Sequence, residues 1–343
     1  MPAPGDITDE FVVRPYTIGD RARLIELLQQ VWPNRHPIEP HVDRRWWWQF
    51  QEPPLIVVED RRSGRLAGLC AYMPFTLHSR GRERPAAWFV DFYVRQEHQG
   101  RGFGRRLTEA VQDRFSLTAS LSQTAMAWRV FQKLGWRGRA RVSLSMHPWP
   151  KRWMFPEGAE CRIVRSSVEP GLSVAGDVDA FWARVSGAYP AIAVRTSAAL
   201  VRRYAATGDR RYEIVCGYRG ADCAGYAILR LVRGGERQTG LLVDVLTRPD
   251  DEPACAALVS AASRRLVELG AARLYCLATT APMRRVLGRR GFLSPETPIA
   301  GWRLRSQHKW LTWFAADPAG VPDPAEWFLT LGDCDLDASW TED

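Results

Sequence analysis

Hydrophobic and polar positions follow two similar series along the chain. In the first, Phe11-Val12-Val13-Arg14-Pro15 predicts a short strand. Asp20 predicts the cap of a helix whose apolar positions Leu24, Leu27, Leu28 and Val31 fall at helical spacing. Leu55–Glu59 and Leu66–Met73 predict strands joined by the turn Arg62-Ser63-Gly64-Arg65, a hairpin. The run Trp88-Phe89-Val90-Asp91-Phe92-Tyr93-Val94 predicts a further strand, leading into a glycine-rich turn. A helix then opens near Gly104, with Leu107, Ala110 and Val111 on its apolar face. A brief strand at Leu117–Leu121 precedes a helix from Thr124 to Leu134, which stops at Gly135. An aromatic, proline-broken segment from Trp32 to Pro54 contains Trp46-Trp47-Trp48.

From Trp182 onward the order recurs. Arg211–Tyr218 and Gly225–Leu231 predict a hairpin across Arg219-Gly220-Ala221-Asp222. Leu241–Leu246 mirrors the Trp88–Val94 strand, with Asp244 near its middle. Ala254–Leu269 predicts a helix, Arg273–Ala278 a strand, and Met283–Phe292 the counterpart of Val130–Trp136. This is repetition of an architecture at long period, distinct from a solenoid. Pro148–Gly171 is rich in proline and breaks. The expected domains are therefore residues 1–150 and 172–343, with a linker at 151–171.

The turn after Val94 carries the candidate chemistry. In Gln99-Gly100-Arg101-Gly102-Phe103-Gly104, alternating glycines let successive N–H groups point at one spot, and the positive end of a helix dipole lies behind them. That is an anion site suited to phosphate. A Walker loop is excluded, because none of the three lysines (Lys133, Lys151, Lys309) stands in a Gly-Lys-Ser/Thr sequence. Strict alternation of Gly100, Gly102 and Gly104 also departs from the Gly-x-Gly-x-x-Gly dinucleotide fingerprint.

The Gln-x-x-Gly-x-Gly spacing resembles the pyrophosphate loop of the GNAT acyltransferase superfamily. The family's last helix commonly carries Asn-x-x-Ala-x-x-x-Tyr-x-Lys-x-Gly-Phe, and Thr124, Ala127, Phe131, Lys133, Gly135 and Trp136 occupy the matching positions. The resemblance spans about residues 10–147. It implies an α/β (α+β) chain of two tandem GNAT folds, each a mixed, mostly antiparallel twisted sheet flanked by helices. It also implies acetyl-coenzyme A or another acyl-coenzyme A as cofactor and transfer of an acyl group to a primary amine. The pantetheine arm would lie along Phe92, Tyr93 and Val94. Pyrophosphate would sit on the N–H groups from Gln99 to Gly104, with Arg101 and Arg105 supplying charge. Thr124 and Phe131 would complete the cofactor site from the last helix.

Asp91 is the candidate catalytic base, three residues before Val94; its alternative role is an ion pair with one of the many arginines. The family's general acid is a tyrosine at the position of Phe131, which cannot donate a proton and is left to pack against the arm. In the second series, Thr247-Arg248-Pro249-Asp250-Asp251-Glu252-Pro253 replaces the glycine loop. It has no glycine, two prolines without N–H donors and three carboxylates that repel phosphate. The second domain is therefore expected to be GNAT-like but to bind no coenzyme A.

Val194-Arg195, Leu200, Arg202-Arg203-Tyr204 and the tail Trp327–Asp337 resemble two-domain bacterial GNAT proteins of surface-polysaccharide and nucleotide-sugar pathways. The resemblance implies an amino sugar or a nucleotide-linked amino sugar as acceptor. Another small amine, such as an antibiotic or amino acid, stays open, as do an aminoacyl-tRNA-dependent ligase and a non-catalytic acyl-coenzyme A-binding protein. Trp46-Trp47-Trp48, Trp88 and the acidic tail offer a wall for stacking a sugar or nucleoside, or else the tryptophans are core.

Composition changes this picture little. A length of 343 residues favours two domains, and 46% hydrophobic with 25% charged residues is ordinary for a globular protein. A net charge of +9 raises the question of nucleic acid, but the arginines are scattered with no basic stripe. No nucleic-acid partner is expected, and the positive field suits a polyanionic cofactor. No apolar run is long enough for a membrane helix, and the N-terminal residues carry no secretory pattern, so a cytoplasmic protein without a membrane partner is expected. Seven cysteines without a Cys-x-x-Cys pair predict buried free thiols and no metal site. The alternation Asp333, Asp335, Asp337 lacks the glycine and terminal glutamate of a calcium loop and predicts a solvated tail or a subunit contact, the latter consistent with a homodimer.

Overall fold

β1 (Phe11–Pro15) pairs antiparallel with β2 (Leu55–Asp60), and β2 with β3 (Leu66–Ser79). Arg80 and Gly81, at φ +51° and +72°, turn the chain tightly into β4 (Arg82–Val94), so this hairpin extends well past the sequence-predicted strand ends. β4 then runs parallel to β5 (Leu117–Leu121), pairing over Ala86–Phe89. The computed structural model describes residues 10–33, 53–121, 123–158, 160–205, 210–233, 238–298 and 308–337; Trp46-Trp47-Trp48 lie outside them.

Two compact units divide the chain. The first is Met1–Phe75, Arg84–Arg139 and Leu311–Pro318; the second is Thr76–Glu83, Ala140–Trp310 and Ala319–Asp343. In the first, β13 (His308–Ala315) lies antiparallel to β5 through Leu311–Ala315. Helix α1 (Arg21–Val31) buries Leu24, Leu27 and Leu28, and α2 (Phe103–Gln112) buries Phe103, Leu107 and Val111. Leu24, Leu27 and Leu28, and Leu107 and Val111, fall at the predicted spacing, whereas Phe103 precedes the expected start of α2 and Ala110 is half-buried. Thr124 caps α3 (Ala125–Lys133), its hydroxyl accepting the Ala127 N–H at 3.2 Å. Gly135, at φ +76°, ends it.

In the second unit, β9 (Glu213–Arg219), β10 (Asp222–Val232) and β11 (Thr239–Thr247) run antiparallel, and β12 (Arg273–Leu277) lies parallel to β11. β6 (Arg137–His147) pairs antiparallel with β12 through Leu144–His147, and β7 (Arg162–Ser167) forms the far edge on β9. The four-strand pattern of the first sheet thus recurs. In each unit the strand beyond the parallel pair comes from the other half of the sequence. β8 (Ala191–Ala193) pairs with β3 at Leu77–Ser79 and with β14 (Trp327–Phe328). The helices are α4 (Ala175–Val185), α5 (Ser197–Tyr204), α6 (Glu252–Glu268) and α7 (Ala281–Arg289).

The acidic tail departs from its expected solvated or subunit-contacting role. Asp333 and Asp337 are buried. Arg195 donates to Asp333 Oδ2 at 2.7 Å and to Asp244 Oδ2 at 2.9 Å. Asp337 pairs with Arg203 and accepts the Tyr212 hydroxyl at 2.7 Å, while Arg230 donates to its backbone carbonyl at 2.6 Å. Trp327, Phe328, Leu329 and Leu331 are buried just before them, and this anchoring draws the carboxylates inside with their partners. All seven cysteines are free and buried. Among the described residues no cluster of side chains is set to hold a metal ion, and no helix is long and apolar enough to cross a membrane.

Candidate active site

β4 breaks its own alternation at the site. Ala87 and Phe89 pack into the core of the first unit, and a strict period of two would send residues 91 and 93 after them. Phe92 and Val94 pack there instead. An extra residue is therefore taken up between Phe89 and Phe92, as in a β-bulge. Further on, the Arg95 N–H donates to the Ala67 carbonyl of β3 at 2.8 Å. Backbone groups alternate in an antiparallel pair, so those of Val94 turn to the opposite edge. There the Val94 carbonyl accepts Gln99 Nε2 at 3.1 Å. The edge of β4 at Phe92–Val94 lines a cavity.

Gly68 sets the position of that edge from behind. A Cβ at Gly68 would stand 2.8 Å from the Tyr93 carbonyl oxygen and 3.3 Å from Val94 Cα. Gly68→Ala is expected to displace β4 and lower kcat/KM by about 10–100-fold, the effect of a misplacement on the order of an ångström. Steady-state kinetics with an unchanged kcat/KM would show that this edge does not position substrate.

The glycine loop is built as an open cradle. Gly100 and Gly102 hold φ of +79° and +86°, and neither has an atom within 4 Å of where a Cβ would stand. Gly102 is the left-handed cap of α2, its carbonyl accepting the Arg106 N–H at 3.2 Å. Among the described residues, no backbone carbonyl takes the N–H groups of residues 100–105. A row of donors at a helix N-terminus is left for an anion.

The cavity measures about 660 Å³. It brings together Phe92, Tyr93, Val94, Gln99, Gly100, Gly102, Phe103, Gly104, Arg105 and Thr124. Three other sequence candidates lie off its wall. Arg101 stacks over the Phe11 ring at 4.7 Å and reaches Glu10 at 3.4 Å. Phe131, expected against the arm, is buried and stacks on Trp136 at 4.1 Å, because the flat indole claims its face. Asp91 is half-buried; Cys70, whose thiol burial pushes far up, is raised further by the Asp91 charge. Trp88 is buried against Phe75 at 5.4 Å and offers no stacking wall.

Sequence reasoning passed over His98, Met126, Val130, Lys133 and Leu134 as wall residues. Their signal was present: Met126, Val130 and Lys133 stand at i, i+4 and i+7 on α3, and Met126 is 59% exposed despite being apolar. Burial pushes the Tyr93 phenol up, so it stays a neutral donor on the wall.

The second unit repeats the strand device and closes it. Ile228 pairs with Asp244 and Leu229 with Leu242, leaving Val243 as the extra residue of a bulge in β11. The space at the β11 end and the α6 N-terminus is about 10 Å³, room for about one water. Tyr189 and Phe328 fill it, their rings 4.6 Å apart, and the Tyr189 hydroxyl donates to the Thr247 carbonyl at 2.6 Å. At the helix end, Asp251 accepts the Ala254 N–H at 3.1 Å and is held by Arg219. The anion position is taken by the chain's own carboxylate.

The first unit fits acyl-coenzyme A: a glycine cradle with open space beside it, N–H donors that no backbone carbonyl takes among the described residues, the Lys133 cation and an apolar wall of Phe92, Met126 and Val130. The fold and the first unit's site are similar to those of GNAT acyltransferases, which use acyl-coenzyme A as donor. Residues 21–136 match the model of the acetyltransferase (GNAT) family. No curated protein matches the sequence. In fold the chain is similar to a GCN5-related N-acetyltransferase from Anabaena variabilis, at 12% identity and TM-score 0.62, covering 90% of this chain and 73% of that one. It is also similar to Saccharomyces cerevisiae N-myristoyltransferase with bound myristoyl-CoA (11% identity, TM-score 0.57, 95% and 91% covered). A tandem GNAT protein from the clavulanic acid biosynthesis pathway is a third (16% identity, TM-score 0.56, 90% and 100% covered).

Proposed function

We propose that the protein transfers an acetyl or other short acyl group from acyl-coenzyme A to the primary amine of an amino sugar or nucleotide-linked amino sugar. The observation that supports donor binding in the first unit is the open 660 Å³ cavity there, set against the 10 Å³ counterpart in the second. The bound thioester supplies an activated acyl group. The N–H groups of residues 100–105, with Arg105 and Lys133, would hold the pyrophosphate end. Backbone groups of Phe92–Val94 would hold the arm and polarise the acyl carbonyl by hydrogen bonds. Asp91 would take the proton of the attacking ammonium, directly or through water. Phe131 has no proton to give, so departure of the sulfur is unassisted at that position.

The acceptor class rests on the resemblance of Val194–Tyr204 and the Trp327–Asp337 tail to polysaccharide and nucleotide-sugar enzymes. Thiol release from acetyl-coenzyme A, measured with a panel of amino-sugar nucleotides, free amino sugars, amino acids and aminoglycosides, tests it. Turnover is expected with the sugar-linked amines; turnover confined to the other amines would refute that acceptor. Asp91→Asn is expected to lower kcat/KM by about 10²–10⁴-fold and to flatten its pH profile, the range for a lost general base. An unchanged kcat/KM across pH would remove Asp91 from the mechanism.

A further inference from the structure

A second cavity of about 510 Å³ lies in the second unit between β7 and α6. Ala257, Ala261 and Arg264 line it from one face of α6, at i, i+4 and i+7; Ile163 and Arg165 line it from one face of β7, the edge strand. The small alanines leave the hollow, and its size is that of small-molecule pockets.

Arg264 is the unusual member. Its side chain is nine-tenths buried, and among the described residues its Nε has no hydrogen-bond partner. A buried guanidinium is costly unless paired and fully bonded. The ion pair it has is with Glu157 Oε1 at 2.6 Å, and that glutamate side chain is 76% exposed. A carboxylate placed to stabilise a buried cation would itself be enclosed, whereas Glu157 reaches in from the surface and is free to swing out. Arg165, on the same cavity, has its nearest carboxylate at 3.6 Å, in Glu268. Two guanidinium forks therefore border one hollow with donors to spare, and their planar geometry matches carboxylate and phosphate oxygens.

We infer that this cleft is an anion-binding site for a small molecule bearing a carboxylate or phosphate group, in which Glu157 occupies the Arg264 fork until the ligand's oxyanion displaces it. Ile163, Ala257 and Ala261 provide an apolar floor for a short carbon skeleton. The inference is independent of acyl transfer, since none of these residues belongs to the acyl-coenzyme A cavity.

Calorimetric titration of the full chain with inorganic phosphate and, separately, with succinate tests it. Saturating coenzyme A is included so that the glycine loop does not contribute. At least one probe is expected to bind in the millimolar range. Arg165→Gln and Arg264→Gln are each expected to weaken binding at least tenfold, and Glu157→Gln to tighten it several-fold by freeing the fork. Arg165 is 39% exposed, so its variant keeps the fold if Arg264→Gln does not. Phosphate binding alone assigns a phosphoryl ligand, and succinate binding alone a carboxylate. Neither probe binding at tens of millimolar, or binding unmoved by both Arg165→Gln and Glu157→Gln, overturns the site.

Discussion

Gly102→Glu is expected to raise the Kd for acetyl-coenzyme A by about 10²–10⁴-fold while the protein stays folded. Two effects act, and they separate. The left-handed φ of +86° costs a non-glycine residue about 1–2 kcal/mol, which lowers the unfolding free energy but weighs equally on free and bound protein. The binding loss comes from a carboxylate placed in the open space of the cradle, where it takes the N–H donors and repels the diphosphate. Two charge-assisted hydrogen bonds lost at about 1.5–3 kcal/mol each give the stated range. Gly102→Ala carries the strain without the charge, so it should melt at a similarly lowered temperature and bind with a Kd within about tenfold of the parent. Equal binding losses in the two variants would show that backbone strain, and not occupancy of the anion site, is responsible.

The largest stability effect is expected at Arg195. Asp244 and Asp333 are both about 2% exposed at the side chain and share this one guanidinium, at 2.9 and 2.7 Å. Arg195→Met leaves two buried carboxylates facing each other and should cost at least about 3–5 kcal/mol, a large part of a typical domain's stability. Burial already pushes the Asp244 carboxyl up, against the pull of Arg195. Without Arg195 it rises further. A carboxyl whose folded pKa exceeds its unfolded one binds more protons when folded, so the variant loses stability as pH climbs above the ordinary aspartate value of about 4. Urea unfolding of Arg195→Met should therefore show a deficit that grows from pH 4.5 to 7. Adding Asp244→Asn and Asp333→Asn should recover much of it. A deficit independent of pH would assign the loss to packing.

These two sites differ in how far the sequence reveals them. Positive-φ glycines next to an apolar strand are visible in the chain because Gly100 and Gly102 have no ordinary substitute there. The Thr124 cap and the Gly135 stop of α3 are local and equally legible. The partners of the acidic tail are not. Asp333 meets Arg195 across 138 positions and Asp337 meets Arg203 across 134, and no local pattern marks a carboxylate whose counter-ion arrives from so far away. Asp244, which mirrors Asp91 in sequence, proves to be one end of that buried network.

Strand exchange is hidden for a related reason. Alternation in β6 and β13 encodes which face is apolar, not which sheet the strand will join. The hairpin extension through Ser79 and Arg82 is masked by the charged run Arg80–Arg84, whose tight turn lets it continue. At Phe131 the motif position is legible but the direction of the ring is not, since Trp136 decides it. Tyr189 and Phe328, which fill the second unit's counterpart of the cavity, come from outside the repeated pattern.

The repeated architecture is expected to hold one acyl-coenzyme A, in the first unit. Isothermal titration of the full chain with acetyl-coenzyme A tests it most directly. One equivalent per chain, abolished by Gly102→Glu, is predicted. Two equivalents, or one that survives Gly102→Glu, would contradict it.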